Sequence, residues 1–433
     1  MTDAAPMSEL SKRRKVLSAG GFAHFINDGF TDTVYILLPL WAAEFGLSHA
    51  QVGLLKTFIS LAMSAFQIPA GFVAEKVGER PILVLGTVLV GLGFVLLGFA
   101  EGFIMLAVCL CLSGFGASAQ HPLASALISK AYEGGPRRAA LGTYNFGGDL
   151  GKIVAPVSVA AVAGAFGWRT GTIAHGIVGM FAALAIYFVL RRAGAGGRRS
   201  ACSAKAEGEA EGKSEGKARG KAGEKKVLGK RGWGIRDRTG FTALSVISMI
   251  DTSSRTGFLT FLPFLLIGKG VETETVGVAL ALVLGGGAAG KLVCGFIAER
   301  VGIMRTVVAT EVGTVVLIVA VIFAPLVPTL IMLPFLGVVL NGTSSVLYGT
   351  MGDFVEADSQ ARAFGLFYTL GIGASAAAPF AYGLLSDQWG LHAALSVVPV
   401  MVLLILPICL VLRASLANVA VTKTMPLEPN LGR

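Results

Sequence analysis

Ten residues, Gly71 to Arg80 (GFVAEKVGER), limit what this chain can become more than any other stretch, because they are written twice. GFIAERVGIMR, Gly295 to Arg305, repeats them 224 residues later. Each copy closes a long apolar segment with a charged turn that contains glycine. Gly142-x-Tyr144-x3-Gly148-x7-Pro156 is answered by Gly365-x-Phe367-x3-Gly371-x7-Pro379 at an offset of 223, and Asp28 by Asp251 at the same offset. Three echoes in one order predict a chain made by duplicating a single unit.

The composition says what that unit must be. Of 433 residues, 54% are hydrophobic and only 14% charged, with a mean hydropathy of +0.72. A soluble chain carries about 25% charged residues, so too little polar surface is left here to face water. The 58 glycines suit helices that approach closely in a bilayer. Cys109, Cys111, Cys202, Cys294 and Cys409 form no C-x-x-C pair and have no His at ligand spacing. They read as small packing residues, with neither a disulfide framework nor a metal site.

Apolar runs of about 20 residues or more, the length of a membrane-crossing helix, occur twelve times. The first ends near Ala43 and is followed by 50–74, 81–100, 103–130, 139–165 and 168–190. The second set is 240–267, 274–298, 304–325, 328–351, 362–385 and 391–412. The first run is longer than the ~7–15-residue core of a signal peptide and is followed by no cleavage site, so it reads as an uncleaved span. The expected fold is an all-α polytopic membrane protein: twelve transmembrane helices in two pseudo-symmetric six-helix bundles. The first bundle is expected over 1–190 and the second over 239–413. Residues 191–238, rich in Gly, Ala, Lys and Glu, read as a disordered basic linker, and 414–433 as a cytoplasmic tail.

The net charge of +10 suggests nucleic acid until the charges are located. Thirty of the 36 Lys and Arg fall in the two tails, the linker and the loops on one side; the opposite loops contain only Arg169 and Lys269. The positive-inside rule puts both termini and the linker in the cytoplasm. The partner implied is an anionic lipid surface, not nucleic acid. The Lys12-Arg13-Arg14-Lys15 cluster reads as part of an N-terminal tail.

Ionisable groups within spans cost about 2.5–3.5 kcal/mol each on insertion scales and usually face an internal cavity. His24, Asp28 and Asp32 are spaced i, i+4, i+8 on one face of span one. Asp251 and Arg255 stand at i, i+4 on span seven. Span four holds Gln120 and His121; span ten holds Asn341 and Tyr348. Spans one, four, seven and ten are the first and fourth of each half, where a duplicated architecture predicts a shared central cavity. Asp149 and Lys152, at i, i+3 on span five, form either a local salt bridge or part of that cavity. Lys56 and Glu311, nearer the ends of their spans, are expected to snorkel to the interface; Lys291 is a further embedded cation.

No HExxH, GxSxG, catalytic carboxylate pair or ATPase domain occurs, so no enzyme, cofactor or resident metal is expected. Gly285 to Lys291, GGGAAGK, imitates a phosphate-binding loop, but Leu292 stands where Ser or Thr must meet magnesium, and the run lies inside a span.

With twelve spans, a basic middle linker and the doubled loop, the chain resembles the major facilitator superfamily. Its signature after helix two, G-x3-D-x2-G-R/K-R/K, is met by Gly71, Glu75, Gly78 and Arg80, with Glu75 for the usual Asp. The second copy supplies Gly295, Glu299, Gly302 and Arg305. The resemblance implies a gating loop at both places. HFIND (His24 to Asp28), GFGASAQHP (Gly114 to Pro122) and NFGGDLGKIVAP (Asn145 to Pro156) look like segments of the fosmidomycin-resistance group of exporters. The antiporter signature of helix five has Gly before Pro; here Ala155 precedes Pro156.

The function expected is secondary active transport: proton-coupled export of a small anionic or amphipathic drug or metabolite by alternating access. Asp28 is the first-choice proton carrier, and Arg255, Lys152 and Lys291 are candidate anion contacts. The alternatives are proton-coupled import of a small organic solute and a non-transporting membrane sensor. The expected setting is the inner (cell) membrane and the expected working state a monomer.

Overall fold

The computed structural model describes residues 4–133, 136–198, 234–356 and 360–424. Most of the expected linker and the last residues of the tail lie outside them. Twelve helical rods account for nearly all of the described chain. In the first half these are α1 Ala4–Phe45, α2 His49–Val77, α3 Glu79–Leu97, α4 Phe103–Ala131, α5 Arg137–Phe166 and α6 Trp168–Arg192. In the second they are α7 Arg238–Gly268, α8 Thr273–Val301, α9 Ile303–Phe323, α10 Leu326–Met351, α11 Gln360–Trp389 and α12 Leu391–Asn418. Helix is what an apolar segment must form in lipid, because it satisfies every backbone N–H and C=O within the segment. Among the described residues, nine of these rods are long and apolar enough to cross a membrane on length and composition alone. The other three, α1, α7 and α11, include the chain's polar stripes or its charged ends.

Two rods are broken, each where the sequence places a proline. α4 loses its helical pattern at Ser118 and Ala119, just before Gln120-His121-Pro122, and α12 at Leu404, before Pro407. Proline has no N–H to give the carbonyl four residues back, here Ser118 and Leu403, and its ring crowds that carbonyl.

The chain divides into two compact units. The first comprises Met1–Leu47, Leu55–Lys230 and Glu272–Ala281; the second comprises Ser48–Leu54, Arg231–Val271 and Leu282–Arg433. In the first, α1 packs chiefly on α5, and α3 on α4 and α6. In the second, α7 packs chiefly on α11, and α9 on α10 and α12. The second list is the first moved on by six helices, so the duplication written in the sequence returns as a duplicated packing scheme. Each unit has its own apolar core: Val16, Leu83, Leu127, Ile128 and Leu190 in one; Phe241, Ile247, Leu347, Phe354 and Phe367 in the other. Large side chains such as Phe72, Ile104, Phe181, Phe296 and Phe323 point outward, as a lipid-facing surface requires.

Two expectations about the ends of elements are corrected. Lys12 to Lys15 do not belong to a tail, because α1 already starts at Ala4 and carries them as helix. The segment read as disordered from Arg191 is ordered at both margins. Gly196 O accepts a 2.8 Å hydrogen bond from Arg80 N, and Ile235 pairs with Val355 while Arg236 N donates to Phe354 O at 2.9 Å. The backbone at each margin finds partners in the neighbouring bundle, which composition could not indicate.

The doubled loop proves to be one residue long in both units. Gly78 alone joins α2 to α3, with φ 96° and ψ 155°; Gly302 alone joins α8 to α9, with φ 100° and ψ 148°. That region of backbone space is essentially closed to residues with a Cβ. Around Gly78 there is no room either: a Cβ would lie 2.5 Å from Gly196 O, whereas nothing stands within 4 Å of one at Gly302. We therefore expect Gly302→Ala to cost the strain alone, about 1–3 kcal/mol, and Gly78→Ala to cost more. Thermal unfolding in detergent measures both, and an equal or negligible loss at Gly78 contradicts the assignment.

Candidate functional site

The first unit gathers its embedded charges around Asp28. Helix α1 carries His24 and Asp28 one turn apart, and α5 approaches it closely enough for Lys152 to reach across. Glycine makes that approach possible: a Cβ on Gly151 would lie 2.0 Å from Phe25 O, and one on Gly148 would lie 2.5 Å from His24 Nε2. The Gly-Gly-x-x-Gly spacing of Gly147, Gly148 and Gly151 is thus a flat face on which α1 rests.

Asp28 is 4% exposed. Its Oδ2 lies 3.1 Å from Lys152 Nζ and 3.1 Å from His24 Nε2. Its Oδ1 lies 3.5 Å from His121 Nε2 and accepts a 3.4 Å hydrogen bond from Asn27 Nδ2. Asp149 Oδ1 is 3.9 Å from Lys152 Nζ, so the i, i+3 pair forms, but the shorter bond of Lys152 is to Asp28. Gln120 joins the edge of the cluster by accepting from Tyr144 Oη at 3.5 Å.

Both ring nitrogens of His24 face polar neighbours. His24 Nδ1 is 3.0 Å from the backbone carbonyl of Tyr144. A carbonyl only accepts, so Nδ1 carries the hydrogen. The Nε2 edge then faces Asp28 Oδ2 at 3.1 Å, a contact that becomes a hydrogen bond when the ring takes up a second proton there.

His24, Asp28 and His121 offer three ligand atoms within 4.8 Å of one another. A divalent metal placed among them would lie beside the Lys152 ammonium and displace the His24–Asp28 hydrogen bond. The Lys152 ammonium, 3.1 Å from Asp28 Oδ2, weighs against a metal there.

Lys56 corrects the expectation of snorkelling. It is 5% exposed, its Nζ donates to Thr31 O at 3.3 Å, and it lies 4.2 Å from the centre of the Tyr35 ring. The backbone carbonyl and the aromatic face hold the ammonium inside the unit. Asp32, half-buried one turn beyond Asp28, lies within electrostatic reach of both Lys56 and Lys152.

In the second unit Asp251 is buried and Arg255 follows it by one turn on α7. Arg255 Nη1 donates to Asn341 Oδ1 at 3.4 Å, and Asn341 Nδ2 donates to Gly337 O at 3.2 Å. Tyr348 stacks with Tyr368, ring centres 5.5 Å apart, and Lys291 lies half-buried on α8. Of the second-loop residues, Gly302 forms the turn, while Glu299 and Arg305 are exposed, as are Glu75 in the first copy and the two flanking lysine and arginine residues Lys76 and Arg300. Glu311 is the second correction. It is 1% exposed, because it stands in the inward face of α9 with Thr306, Thr310, Thr314 and Ile318. That stripe of threonines at helical spacing was the available signal; distance from the end of the span was the wrong guide.

A duplicated bundle of lipid-facing helices with ionised groups held inside each half defines a polytopic membrane protein of the transport class. The chain belongs to the Major Facilitator Superfamily, whose sequence profile matches residues 20–379. It is 28% identical over 152 residues to the fosmidomycin resistance protein of Escherichia coli (strain K12), a match spanning 35% of this chain and 37% of that protein. To the sialic acid transporter NanX of the same organism it is 23% identical over 400 residues, 90% of this chain and 91% of the relative. The fold is similar to the crystal structure of a bacterial homolog of the human lysosomal transporter Spinster, inward-facing and unoccupied. That likeness has a TM-score of 0.76 and 18% identity, and covers 94% of this chain and 98% of the other.

Removing one partner of a buried ion pair costs about 3–5 kcal/mol; Lys152 is partly solvated, so the lower end applies. Lys152→Met is expected to lower the unfolding temperature, and Asp28→Asn combined with Lys152→Met to recover most of the loss. A double variant no more stable than Lys152→Met would break the assigned pairing.

Proposed function

We propose that this chain is a secondary transporter that moves a small organic anion together with a proton, by alternating access across the inner membrane. Membership of the superfamily supports transport without an enzymatic step, and with no ATPase motif in the sequence an ion gradient must supply the work. The excess of Lys and Arg on one side supports cytoplasmic termini.

One observation carries the reading: Asp28 and the more solvated Lys152 are partners at 3.1 Å, with His24 on the same carboxylate oxygen. A carboxylate or phosphonate cargo that pairs with Lys152 takes a cation away from Asp28. The affinity of the His24–Asp28 pair for its proton then rises. Losing the cargo returns Lys152 to Asp28 and drives the proton off. Linkage is reciprocal, so the proton favours the anion as much as the anion favours the proton. The likeness to a transporter named for sialic acid along nearly the whole chain supports an acidic cargo.

This linkage favours uptake, the two ligands travelling down the proton gradient together. Export, the first expectation from the sequence, keeps the support of the likeness to a resistance protein. It requires a cargo whose binding opposes that of the proton.

Reconstituted protein, given a panel of small radiolabelled carboxylates and phosphonates, is expected to accumulate one of them when the outside is made acidic. Asp28→Asn should reduce gradient-driven flux by about tenfold or more at an unchanged level of protein in the membrane. Undiminished flux would remove Asp28 from the mechanism, and cargo movement against the proton flow would replace uptake by export.

A further inference from the structure

The second unit contains a pair of carboxylates that the Asp28 cluster does not account for. Asp251 on α7 is 5% exposed and Glu311 on α9 only 1%. One oxygen of each, Asp251 Oδ2 and Glu311 Oε1, is fully buried and takes no hydrogen bond. The other side of Glu311 meets the Thr343 hydroxyl, which is itself 2.7 Å from Thr310 Oγ1. The two acids lie within electrostatic reach of each other, and among the described residues Arg255 is the cation that acts on both. That guanidinium also gives a hydrogen bond to Asn341.

The titratable groups turned toward Glu311 complete the inventory. Asp251 and Arg255 come from α7 and Cys409 from α12; Tyr348 of α10 stands beside Tyr368 of α11 and within reach of Asp251 and Arg255. None of them adds a second positive charge. Two ionised carboxylates against one guanidinium leave one uncompensated charge in an apolar bundle, and burying such a charge is costly. Two vacant acceptor oxygens also lack a donor, and a buried polar atom without a partner carries its desolvation cost in full. One proton removes both defects: it cancels the excess charge and turns a carboxylate oxygen into a donor. Paired acids in a shared dry site hold a proton between them for the same reason.

We infer that Asp251 and Glu311 together bind one proton, giving the second unit a proton site of its own. This site does not depend on the reading of the Asp28 cluster, because no residue is common to the two. A sodium ion is the competing occupant. It needs several oxygens converging on one point, whereas the oxygen-bearing neighbours here are already committed: Asn341 to Arg255 and Gly337, Thr310 to Thr343.

Infrared spectroscopy of the purified full-length protein tests this through the C=O stretch of a protonated carboxylic acid. At neutral pH the parent should show such a band. Glutamate or aspartate labelled with carbon-13 should shift it, without any substitution, according to which side chain carries the proton. Glu311→Gln and Asp251→Asn should each abolish it, whereas Asp28→Asn should leave it in place, even where Asp28→Asn has lost transport. Absence of the band in the parent, or its survival in both Glu311→Gln and Asp251→Asn, would overturn the proposal. Loss of the band on adding sodium at constant pH and ionic strength would overturn it in favour of a cation site.

Discussion

A carboxylate inside a membrane bundle has to be answered by a cation, and in the first unit that requirement governs how closely two helices must lie. Lys152 reaches Asp28 only because α5 presents glycine to α1, with a Gly151 Cβ position 2.0 Å from Phe25 O. Larger residues would hold the helices apart, and the pair would become two isolated charges in a low-dielectric interior, each costing several kcal/mol. The small residues that pack the helices and the charged residues that distinguish the site are one device. The stacking of His24 on Tyr144, ring centres 4.2 Å apart, depends on the same contact, because a side chain at Gly148 would occupy the place of the ring.

Much of this architecture was legible in the sequence because it rests on periodicity and repetition. The echoes at 223 and 224 residues anticipated the shared packing scheme, and the span limits agree with the helices to within a few residues at most ends. The stripe at His24 and Asp28 was readable because i, i+4 spacing fixes a face without reference to any neighbour. What remained hidden was azimuth relative to other helices. Lys56 and Glu311 were placed by their distance along the helix, which suggests snorkelling, but both point inward, and only the packing of the unit decides that. The orientation of the His24 ring was out of reach as well, since it follows from the carbonyl of Tyr144, 120 residues away. The ordered margins of the linker belong with these: a backbone carbonyl such as that of Gly196 has no signature in composition.

The two units share a scaffold and differ in chemistry. At the offset of 223, Asp28 corresponds to Asp251, but Asp32 corresponds to Arg255 and Lys152 to Ser375; at 224, Glu311 corresponds to Thr87. Duplication preserved the helix contacts, which need small residues at set intervals, and left the ionised positions to diverge. In the first unit Lys56 and Lys152 stand among three aspartates. In the second, Arg255 on α7 is the cation within reach of the two buried acids Asp251 and Glu311, while Lys291 lies half-buried on α8. The same aspartate, repeated in both halves, therefore has different neighbours in each.

That divergence bears on how a symmetric carrier can couple two ligands. If both halves paired each acid with its own cation, an arriving anion would find no cation whose loss changes the proton balance, and binding of the two would be independent. On the proposed reading, that independence is broken in one place. Lys152 is bonded to a buried carboxylate yet is itself partly solvated, with 28% of its side chain exposed against 6% for Asp28. In the proposed mechanism it is the member of the pair that an outside anion meets, and the carboxylate behind it the member that responds. Coupling in this picture needs no long pathway through the protein, only a cation with two competing partners, one fixed in the helix bundle and one that can leave.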